Sequence, residues 1–194
     1  MRLFSSEIGQ DYTSYTFGYA NYCEREAADT LTLIYQNGYL PYSGSKECAG
    51  IFYMARSARI ATQHFELSSE NRRIAKKFDG IFTVREIPLS QFDTSGVKGL
   101  FLQYFRERHG NVMPEERLDA IIHSGLPLRV TTYEKDGCLA AAVLEVIEGN
   151  MGHFWFSAFD LAYMKESLGL WLMIDRLRAA KAIGLASYYL GTVY

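Results

Sequence analysis

One long segment with an apolar stripe, Lys165–Ile183, constrains the fold of this chain more than any other feature of the sequence. Its apolar residues recur at the three- and four-residue spacing of one helix face, namely Leu168, Leu172, Met173, Leu177 and Ala180. Gly184 follows where a left-handed C-terminal cap belongs, and a strand-like run, Ala186–Leu190, comes next. The segment therefore predicts a core helix that packs on a sheet.

Three strand-like runs precede this helix, at Leu128–Tyr133, Cys138–Ile147 and Gly152–Phe159. Their two connections, Lys135-Asp136-Gly137 and Glu148-Gly149-Asn150, have the residue types of tight hairpin turns, which predicts an antiparallel meander. A meander followed by a helix and one more strand is the order found in GNAT acyltransferases, which the chain resembles in this respect. We expect an α/β fold with a mixed, mainly antiparallel sheet flanked by helices.

Earlier elements are predicted from capping and turn residues as well as from periodicity. We expect helices over Glu24–Asn37, Ser69–Phe78, Ser95–His109 and Pro114–Ile122, and strands over Gly50–Arg59 and Ile81–Ile87. The first 22 residues are rich in Tyr, Ser, Thr and Gly and are expected to form an irregular lead-in. The 194 residues thus predict a single domain with an irregular N-terminal extension over about residues 1–50.

Composition excludes several classes of protein. Hydrophobic residues make up 48% of the chain and charged residues 22%, a balance typical of a globular protein rather than a disordered one. No apolar stretch approaches the ~20 residues of a membrane span, and the N-terminus, with Glu7 and Asp11, lacks the apolar region of a secretory signal. Three cysteines without a CxxC pair, Cys23, Cys48 and Cys138, fit a reducing compartment. We therefore expect a cytoplasmic protein.

The spacing of histidines and cysteines does not indicate a metal site. His64, His123 and His153 show no metal-ligand spacing with one another or with the cysteines. Cys23 and Cys48 lie 25 residues apart without partner ligands nearby in the sequence. We expect no metal.

Charge is distributed unevenly along the chain. The net charge of −2 excludes a global field that attracts nucleic acid. Residues 51–87, however, contain seven basic and four acidic side chains, a local excess that can meet phosphates. The candidates for phosphate contact are the four basic residues of the predicted helix, Arg72, Arg73, Lys76 and Lys77. The alternative is an ordinary solvated helix face.

The start of the long helix is a second candidate site. GNAT enzymes use a glycine-containing turn here, where free backbone N–H groups and the helix dipole hold a phosphate-bearing acyl donor. The segment opens with Lys165-Glu166-Ser167-Leu168-Gly169, so the first glycine of the acetyl-CoA pattern is missing and Gly169 is a weak signal. This departure argues against an ordinary acetyl-CoA enzyme. Alternatively, Gly169 only permits a close helix–sheet contact.

Several ordered motifs resemble the arginyl-tRNA–protein transferases and their leucyl-transferring bacterial relatives. They run in the family's order between Gly18 and Gly191, at Asn37–Ser45, Phe65–Lys76, Tyr104–Met113, Phe159–Tyr163, Ser167–Gly169, Lys181–Leu185 and Tyr188–Gly191. The resemblance implies transfer of an amino acid, Arg or Leu, from charged tRNA to the α-amine of a protein or peptide that begins with Asp or Glu. It implies aminoacyl-tRNA as a co-substrate and no other cofactor.

The implied chemistry needs a proton acceptor and a cation. An aminoacyl ester is already reactive, so positioning and removal of the proton of the attacking amine supply most of the acceleration. Asp160, at the end of a predicted strand, is the first candidate for this carboxylate, and a turn or capping role is its alternative. Arg59 occupies the place of a family arginine and would bind the acidic side chain of the acceptor, with a plain surface charge as the alternative.

Aromatic residues near a turn are candidates for contact with the end of the tRNA. Tyr39 and Tyr42 flank the Ser43-Gly44 step and could stack on the terminal adenine, where base–aromatic stacking contributes about 1–3 kcal/mol. Most tyrosines in a chain with 14 of them are core or sheet residues. The resemblance adds four further substrate-binding candidates around the helix start, namely Tyr163, Ser167, Leu168 and Gly169.

Two other functions remain open. One is an acetyl-CoA-dependent GNAT N-acetyltransferase that acts on a small amine, which keeps the fold and changes the donor. The other is a catalytically inactive relative that binds tRNA or protein. Two departures favour this second alternative: Leu40-Pro41 replaces a basic pair of the family, and Ser69-Glu70-Asn71 replaces a basic residue, Ser and Gln.

Overall fold

A computed structural model describes residues 1–11, 13–14, 16–44, 49–110 and 112–193. In chain order the strands are β1 Arg2–Asp11, β2 Thr16–Glu24, β3 Tyr39–Pro41, β4 Ile51–Met54, β5 Ser57–Ala61, β6 Thr83–Pro88, β7 Leu128–Lys135, β8 Cys138–Glu148, β9 Met151–Phe159 and β10 Ser187–Thr192. The α-helices are α1 Leu31–Gln36, α2 Ser69–Phe78, α3 Ser95–Arg108, α4 Glu115–Ile122 and α5 Leu168–Ala182. Among the residues so described, no helix is long and apolar enough to span a membrane.

A mixed six-stranded sheet with the order β5-β10-β9-β8-β7-β6 forms the centre of the molecule. Its neighbouring strands are antiparallel except β9 and β10, which are parallel and are joined through α5. Strands β7, β8 and β9 form the predicted meander, and the first hairpin turn places Asp136 and Gly137 at positive φ, as its residue types require. The α/β fold class with a mainly antiparallel sheet is thus confirmed.

Helices cover one face of this sheet, and helices with a second sheet cover the other. On the first face, α2 and α5 pack on Tyr133, Phe154 and Tyr188. The predicted stripe of α5 is buried there except for the half-buried Met173. Each fully buried leucine of this stripe contributes about 1.5–3 kcal/mol of hydrophobic free energy, so the stripe fixes the helix on the sheet. On the second face, a continuous core joins α1, α3, α4 and the N-terminal sheet to the central strands.

The N-terminal residues form a four-stranded antiparallel sheet with the order β1-β2-β4-β3. The expectation of an irregular lead-in was therefore wrong: β1 and β2 pair from Arg2 opposite Glu24 to Ile8 opposite Gly18. The described side chains of β1 are all exposed, and among those of β2 only Cys23 is buried, so the sequence of this hairpin does not show the alternation of apolar and polar residues that marks a half-buried strand. This N-terminal sheet includes β4 and so reaches Met54, past the expected end of the extension at about residue 50.

Two predicted elements have different bounds. The helix expected over Glu24–Asn37 is only α1, because Glu24 ends β2 and Thr30 caps the helix by accepting a hydrogen bond from the Leu33 N–H at 3.2 Å. The single strand expected over Gly50–Arg59 is two strands in different sheets, β4 and β5. This short segment therefore links the two sheets.

The remaining predicted elements are present within a few residues of their expected ends. Ser68 caps α2 by accepting a hydrogen bond from the Asn71 N–H at 3.1 Å, as the sequence predicts. Helix α5 begins at Leu168 rather than Lys165, because a short 3-10 turn at Leu161–Tyr163 and a left-handed Ser167 (φ 68°) precede it. Its start therefore lies three residues later than expected.

Candidate functional site

The parallel strands β9 and β10 separate after three residue pairs. Ser187, Tyr188 and Tyr189 lie opposite Met151, Gly152 and His153. Just beyond this point, the pairing of β9 with β8 on its other side is irregular. Glu145 of β8 pairs with Phe154, whereas its neighbour Leu144 pairs with Phe156, so Trp155 is an extra residue in β9. A bulge of this kind bends its strand, and here it lies at the point where β9 leaves β10. The two strands diverge into what we call the β9/β10 gap, bounded by residues 153–157 and 190–192.

A cavity of about 380 Å³ occupies the β9/β10 gap. Its lining comes from five parts of the chain: Leu40, Pro41, Ser43 and Tyr53 of the N-terminal sheet region, Tyr104, Phe105 and His109 of α3 and its end, His153–Ser157 of β9, Met173 of α5, and Leu190–Thr192 of β10. Met173 belongs to α5 and Tyr104 to α3, so helices from both faces of the sheet contribute to the lining of the cavity between the two strands. An elongated acyl donor can enter such a slot.

Gly152 permits the close approach of the strands at the closed end of the gap. It lies opposite Tyr188 in the parallel pair, and a Cβ atom at this position would lie 2.6 Å from a carbon of the Tyr188 ring. Any larger residue would push β10 away from β9. The glycine therefore fixes where the strands meet and hence where they begin to diverge.

The most buried polar group of the cavity wall is His153, which is 2% exposed. Its Nδ1 lies 3.0 Å from the hydroxyl oxygen of Tyr35, a residue of α1 that is also buried. Burial lowers the pKa of His153 from 6.5 to about 3, so the ring is neutral at pH 7. Burial likewise raises the pKa of Tyr35 well above its ordinary value, so the phenol keeps its proton. In the sequence, the position of His153 bears only on metal-ligand spacing, so its pairing with Tyr35, 118 residues away, could not be predicted.

Ser43 is the one predicted substrate-binding residue that lines the cavity among the described residues. Arg117 of α4 holds it: the guanidinium donates from Nη2 to Ser43 Oγ at 3.2 Å and from Nε to the Ser43 carbonyl oxygen. On the same rim, the Tyr53 hydroxyl lies 2.9 Å from Oγ1 of Thr192. Neither Arg117 nor Tyr53 was a sequence candidate, since their partners are distant in the chain.

The two predicted stacking tyrosines lie outside the described lining of this cavity. Tyr39 is buried in the core at 5% exposure. Tyr42 packs edge-on against Tyr22 and Tyr53, with ring centroids 5.6 and 6.0 Å apart. Its ring also covers Gly44, where a Cβ atom would lie 2.4 Å from the phenol oxygen. In this structure both tyrosines are packing residues. Ser45, the last residue of the same motif, lies outside the described residues.

Asp160 caps a turn beside the site. Its Oδ1 accepts a hydrogen bond from the Ala162 N–H at 2.9 Å, at the start of the 3-10 turn. It lines a smaller cavity of about 160 Å³, and Tyr104 lines both this cavity and the one in the β9/β10 gap. The structure thus places Asp160 next to the gap cavity, with Tyr104 shared between the two spaces, and gives its carboxylate a local structural bond.

Arg59 belongs to a row of side chains that crosses three strands. It lies opposite Tyr189 of β10, which in turn lies opposite His153 of β9. Directly paired residues share a sheet face, and neighbouring strands are about 4.8 Å apart, so Arg59 is roughly 10 Å from His153 on the same face. Arg59 is exposed and makes no ion pair with the residues that the structure describes. It is available to bind an anion.

The four candidates at the start of α5 are Tyr163, Ser167, Leu168 and Gly169. The Tyr163 ring packs edge-on against Phe82 at 5.9 Å, and the Leu168 side chain is fully buried. Ser167 is exposed and makes no capping bond through its side chain. A Cβ atom at Gly169 would lie 3.1 Å from the Phe159 ring, which is the helix–sheet contact of the alternative interpretation. None of the four is among the described residues that line the gap cavity.

Helix α2 presents its basic residues to solvent, while Ile74, Ala75 and Phe78 pack inward. The exposed set is Arg72, Arg73, Lys76 and Lys77. Arg73 is bound by Glu70 through two hydrogen bonds, and Arg72 donates to the Leu67 carbonyl oxygen at 2.7 Å. The two lysines have no ion pair with any described residue. They are the freest cations of this helix.

The described residues contain no group of three or more His, Cys, Asp or Glu that could hold a metal ion. Cys23 is fully buried, and burial raises the pKa of its thiol to about 11. Cys138 is exposed at a hairpin. Cys48 lies outside the described residues.

Comparison with protein families gives a match to the acetyltransferase (GNAT) domain over residues 62–193. Among curated proteins, the chain is 28% identical over 146 residues to an aspartate/glutamate leucyltransferase of Hyphomonas neptunium, a match that covers 70% of this chain and 56% of the relative. It is 26% identical over 173 residues to an aspartate/glutamate leucyltransferase of Maricaulis maris, with 80% and 65% covered. The matched region thus spans less than two thirds of either relative. The resemblance to the leucyl-transferring family is confirmed.

Solved structures with the same fold show little sequence identity. The C-terminal domain of a putative lysylphosphatidylglycerol synthetase from Agrobacterium fabrum has a TM-score of 0.55 at 16% identity and covers 72% of this chain and 46% of that one. FemX has a TM-score of 0.55 at 10% identity, with 87% and 60% covered. L-PGS from Bacillus licheniformis has a TM-score of 0.53 at 15% identity, with 88% and 51% covered. These likenesses concern the fold alone.

Proposed function

The chain belongs to the acetyltransferase (GNAT) domain family. We propose that, within this family, it transfers leucine from leucyl-tRNA to the α-amine of a peptide or protein that begins with Asp or Glu. The observation that carries the proposal is the cavity between the diverging strands β9 and β10, beside the bulge at Trp155. The similarity of the chain to curated aspartate/glutamate leucyltransferases supports the choice of donor and acceptor.

The cavity lining favours leucine over arginine as the transferred residue. Apolar side chains dominate the wall, among them Leu40, Phe154, Phe156, Met173 and Leu190, and no described lining residue is Asp or Glu. Burying a guanidinium without a carboxylate partner is costly, whereas a leucyl side chain gains free energy from apolar contact. A leucyl ester therefore suits this cavity better than an arginyl ester.

The acceptor end is proposed to bind near Arg59. This guanidinium is exposed, has no ion pair with a described residue and lies in the row that leads to His153. It can bind the side-chain carboxylate of an N-terminal Asp or Glu in a bidentate way. Asp160 stays our candidate for holding the acceptor ammonium, since it lies beside the gap across Tyr104. These two roles are predictions.

The exposed face of α2 is proposed to contact the tRNA backbone. Lys76 and Lys77 carry the freest positive charge on this helix, with Arg72 and Arg73 beside them. Because the net charge of the chain is −2, attraction of tRNA must come from such a local patch. We propose that the reaction takes place in the cytoplasm and needs no cofactor besides aminoacyl-tRNA, because the ester carries its own activation.

A donor and acceptor competition assay tests this proposal. The protein would be incubated with leucyl-tRNA, arginyl-tRNA or acetyl-CoA, together with an Asp-initiated peptide or the same peptide with N-terminal Ala, and the peptide mass would be measured. We expect a leucyl adduct on the Asp peptide. An acetyl adduct alone would show an ordinary acetyltransferase, and no adduct together with tRNA binding would show an inactive tRNA-binding relative.

A matched pair of arginine variants tests the acceptor site in the same assay. Arg59→Ala should abolish the preference for Asp over Ala, because the cation for the acidic side chain is gone. Arg56→Ala removes another exposed arginine of the same segment and should keep the preference. If Arg59→Ala retains the preference, the assignment of Arg59 is wrong.

A further inference from the structure

The ring of His153 lies at the narrow end of the β9/β10 gap. His153 is the last residue of β9 that is paired with β10, and it is also part of the cavity wall. Directly behind the ring lies Tyr35, whose own ring packs edge-on against His153 at 5.5 Å and against Tyr189 at 4.9 Å between centroids. The imidazole also packs on Trp155, with ring centroids 6.5 Å apart, so two aromatic neighbours restrict its orientation.

The hydrogen bond to Tyr35 bears on which nitrogen of His153 carries the hydrogen. The Tyr35 hydroxyl group is buried, keeps its proton, and has Nδ1 of His153 as its hydrogen-bond partner at 3.0 Å. Either group can donate in this bond; in the arrangement that we infer the phenol donates, so Nδ1 accepts and the neutral ring carries its hydrogen on Nε2. Nε2 has no hydrogen-bond partner among the described residues. Every fully buried side-chain nitrogen or oxygen of those residues has a partner, so Nε2 is not fully buried. Nε2 therefore keeps some accessible surface, and the cavity that His153 lines is the one in the β9/β10 gap.

We propose, on the basis of the aminoacyl transfer proposed above, that Nε2–H of His153 donates a hydrogen bond to the carbonyl oxygen of the aminoacyl ester and stabilises the negative charge that develops there. His153 is then a catalytic residue that acts as a neutral donor, and Tyr35 is a positioning residue that fixes its tautomer. The ring does not act as a base, because Nδ1 is occupied by Tyr35 and Nε2 already carries a hydrogen. A donor in a water-poor site stabilises an oxyanion more than the same donor would in water.

The chemical step balances without any further reactant. The deprotonated acceptor amine attacks the ester carbonyl carbon, a C–N bond forms, and the carbonyl oxygen becomes an oxyanion held by Nε2–H. The attacking nitrogen is positively charged after this bond forms and loses one proton. When the oxyanion collapses, the C–O bond to the terminal ribose breaks, and the ribose oxygen takes up one proton, which balances the proton that the new amide nitrogen lost. His153 neither gains nor loses a proton during the step.

Two amide substitutions at position 153 separate the donor role from a structural role. His153→Gln places an amide N–H group near the position of Nε2, whereas His153→Asn places its amide near Nδ1 and leaves no donor in the gap. In single-turnover leucyl transfer, we expect His153→Asn to lower the rate constant by about 10²–10³-fold, the usual effect of losing one oxyanion donor. His153→Gln should retain most of the rate, and the affinity of both variants for leucyl-tRNA should match the wild type.

Nitrogen NMR of the His153 ring tests the tautomer without requiring activity. The wild-type protein should show the Nε2–H form, and Tyr35→Phe should shift the ring toward the Nδ1–H form or a mixture. An Nδ1–H ring in the wild-type protein would overturn the inference, even if variants at position 153 failed to fold. So would equal rates for His153→Asn and the wild type. A wild-type protein that transfers no leucine but shows the Nε2–H tautomer would instead contradict the proposed function.

Discussion

The hydroxyl group of Tyr53 lies 2.9 Å from Oγ1 of Thr192, and this bond ties β4 of the N-terminal sheet to the last strand of the central sheet. Both residues line the cavity in the β9/β10 gap. The N-terminal sheet therefore forms one wall of the candidate site and holds β10 in its diverging position. We infer that this sheet contributes to the site as well as to stability.

Removing the Tyr53 hydroxyl group should weaken this link. Tyr53→Phe leaves the ring in place and removes one part-buried hydrogen bond, so the free energy of unfolding should fall by about 0.5–1.5 kcal/mol. Urea unfolding followed by circular dichroism measures the change. Tyr19→Phe, at an exposed position of β2, is the matched control and should leave stability unchanged. Equal stabilities for both variants would show that the bond contributes nothing.

A buried ion-pair cluster beneath α5 should be sensitive to loss of its arginine. Arg176 is 4% exposed and pairs with Glu86 and with Glu145, the latter at 3.6 Å and itself buried. Burial raises the pKa of Glu145 while Arg176 opposes the shift. Arg176→Met should therefore cost about 3–5 kcal/mol of unfolding free energy, because a buried carboxylate is left unpaired.

Two further variants test this explanation of the Arg176→Met effect. Adding Glu145→Gln should recover part of the loss, since the amide carries no charge. The control Arg178→Met, on the same helix, breaks a half-exposed pair with Asp79 and should cost no more than about 1 kcal/mol. Similar losses for Arg176→Met and Arg178→Met in urea unfolding would contradict the account.

The free energy of unfolding should fall at acidic pH, because protonation of His153 is disfavoured in the folded protein. The folded-state pKa of about 3 lies below the ordinary value of 6.5, so the unfolded chain binds the proton more tightly. This contribution is complete above pH 6.5 and is lost as the pH falls from about 6.5 toward about 3, with a slope of up to about 1.4 kcal/mol per pH unit. The difference in unfolding free energy between pH 7 and pH 5 should therefore be smaller in His153→Asn than in the wild type. An unchanged difference would show that His153 titrates normally.

Binding of tRNA should depend on the free lysines of α2. The double variant Lys76→Glu/Lys77→Glu should weaken tRNA binding and flatten its dependence on salt, because fewer phosphate contacts release fewer counterions. The control Arg85→Glu/Lys135→Glu makes the same change of charge at the β6/β7 edge and should have a smaller effect. Filter binding at several salt concentrations measures both. If the two variants behave alike, α2 is only a solvated face.

Local sequence patterns were sufficient to predict most elements of the central sheet and its helices. The stripe of α5, the turn residues of the β7–β8–β9 meander and the Ser68 cap of α2 each act within a few residues, so they can be recognised without the fold. The β1–β2 hairpin could not be recognised in this way, because its exposed side chains give no alternating pattern. Bounds were least reliable where one segment serves two sheets, as at β4 and β5.

The candidate site depends on relationships that no local pattern contains. Tyr35 and His153 are 118 residues apart in the chain, and their pairing requires α1 to pack behind β9. The gap itself results from a register shift at Trp155 and from three residue pairs between parallel strands, which are tertiary features. Ser43 was found because its motif resembles a family, whereas Arg117, which holds it, lies 74 residues away.

If the acyl end of the donor enters the β9/β10 gap, a bulky side chain that fills the gap should block transfer. Met173→Trp adds bulk to a residue that lines the cavity, whereas Met164→Trp adds the same bulk at an exposed position before α5. Single-turnover transfer of leucine from leucyl-tRNA to an Asp-initiated peptide would be measured for both, with circular dichroism to establish folding.

We predict that Met173→Trp binds tRNA like the wild type but transfers leucine at least about 100-fold more slowly, because the ester can no longer reach its reactive position. Ser157→Phe narrows the same cavity from β9 and should slow leucine transfer in the same way. Met164→Trp should retain the wild-type rate. Folded Met173→Trp and Ser157→Phe variants that transfer leucine within about twofold of the wild-type rate would contradict the placement of the donor in this gap.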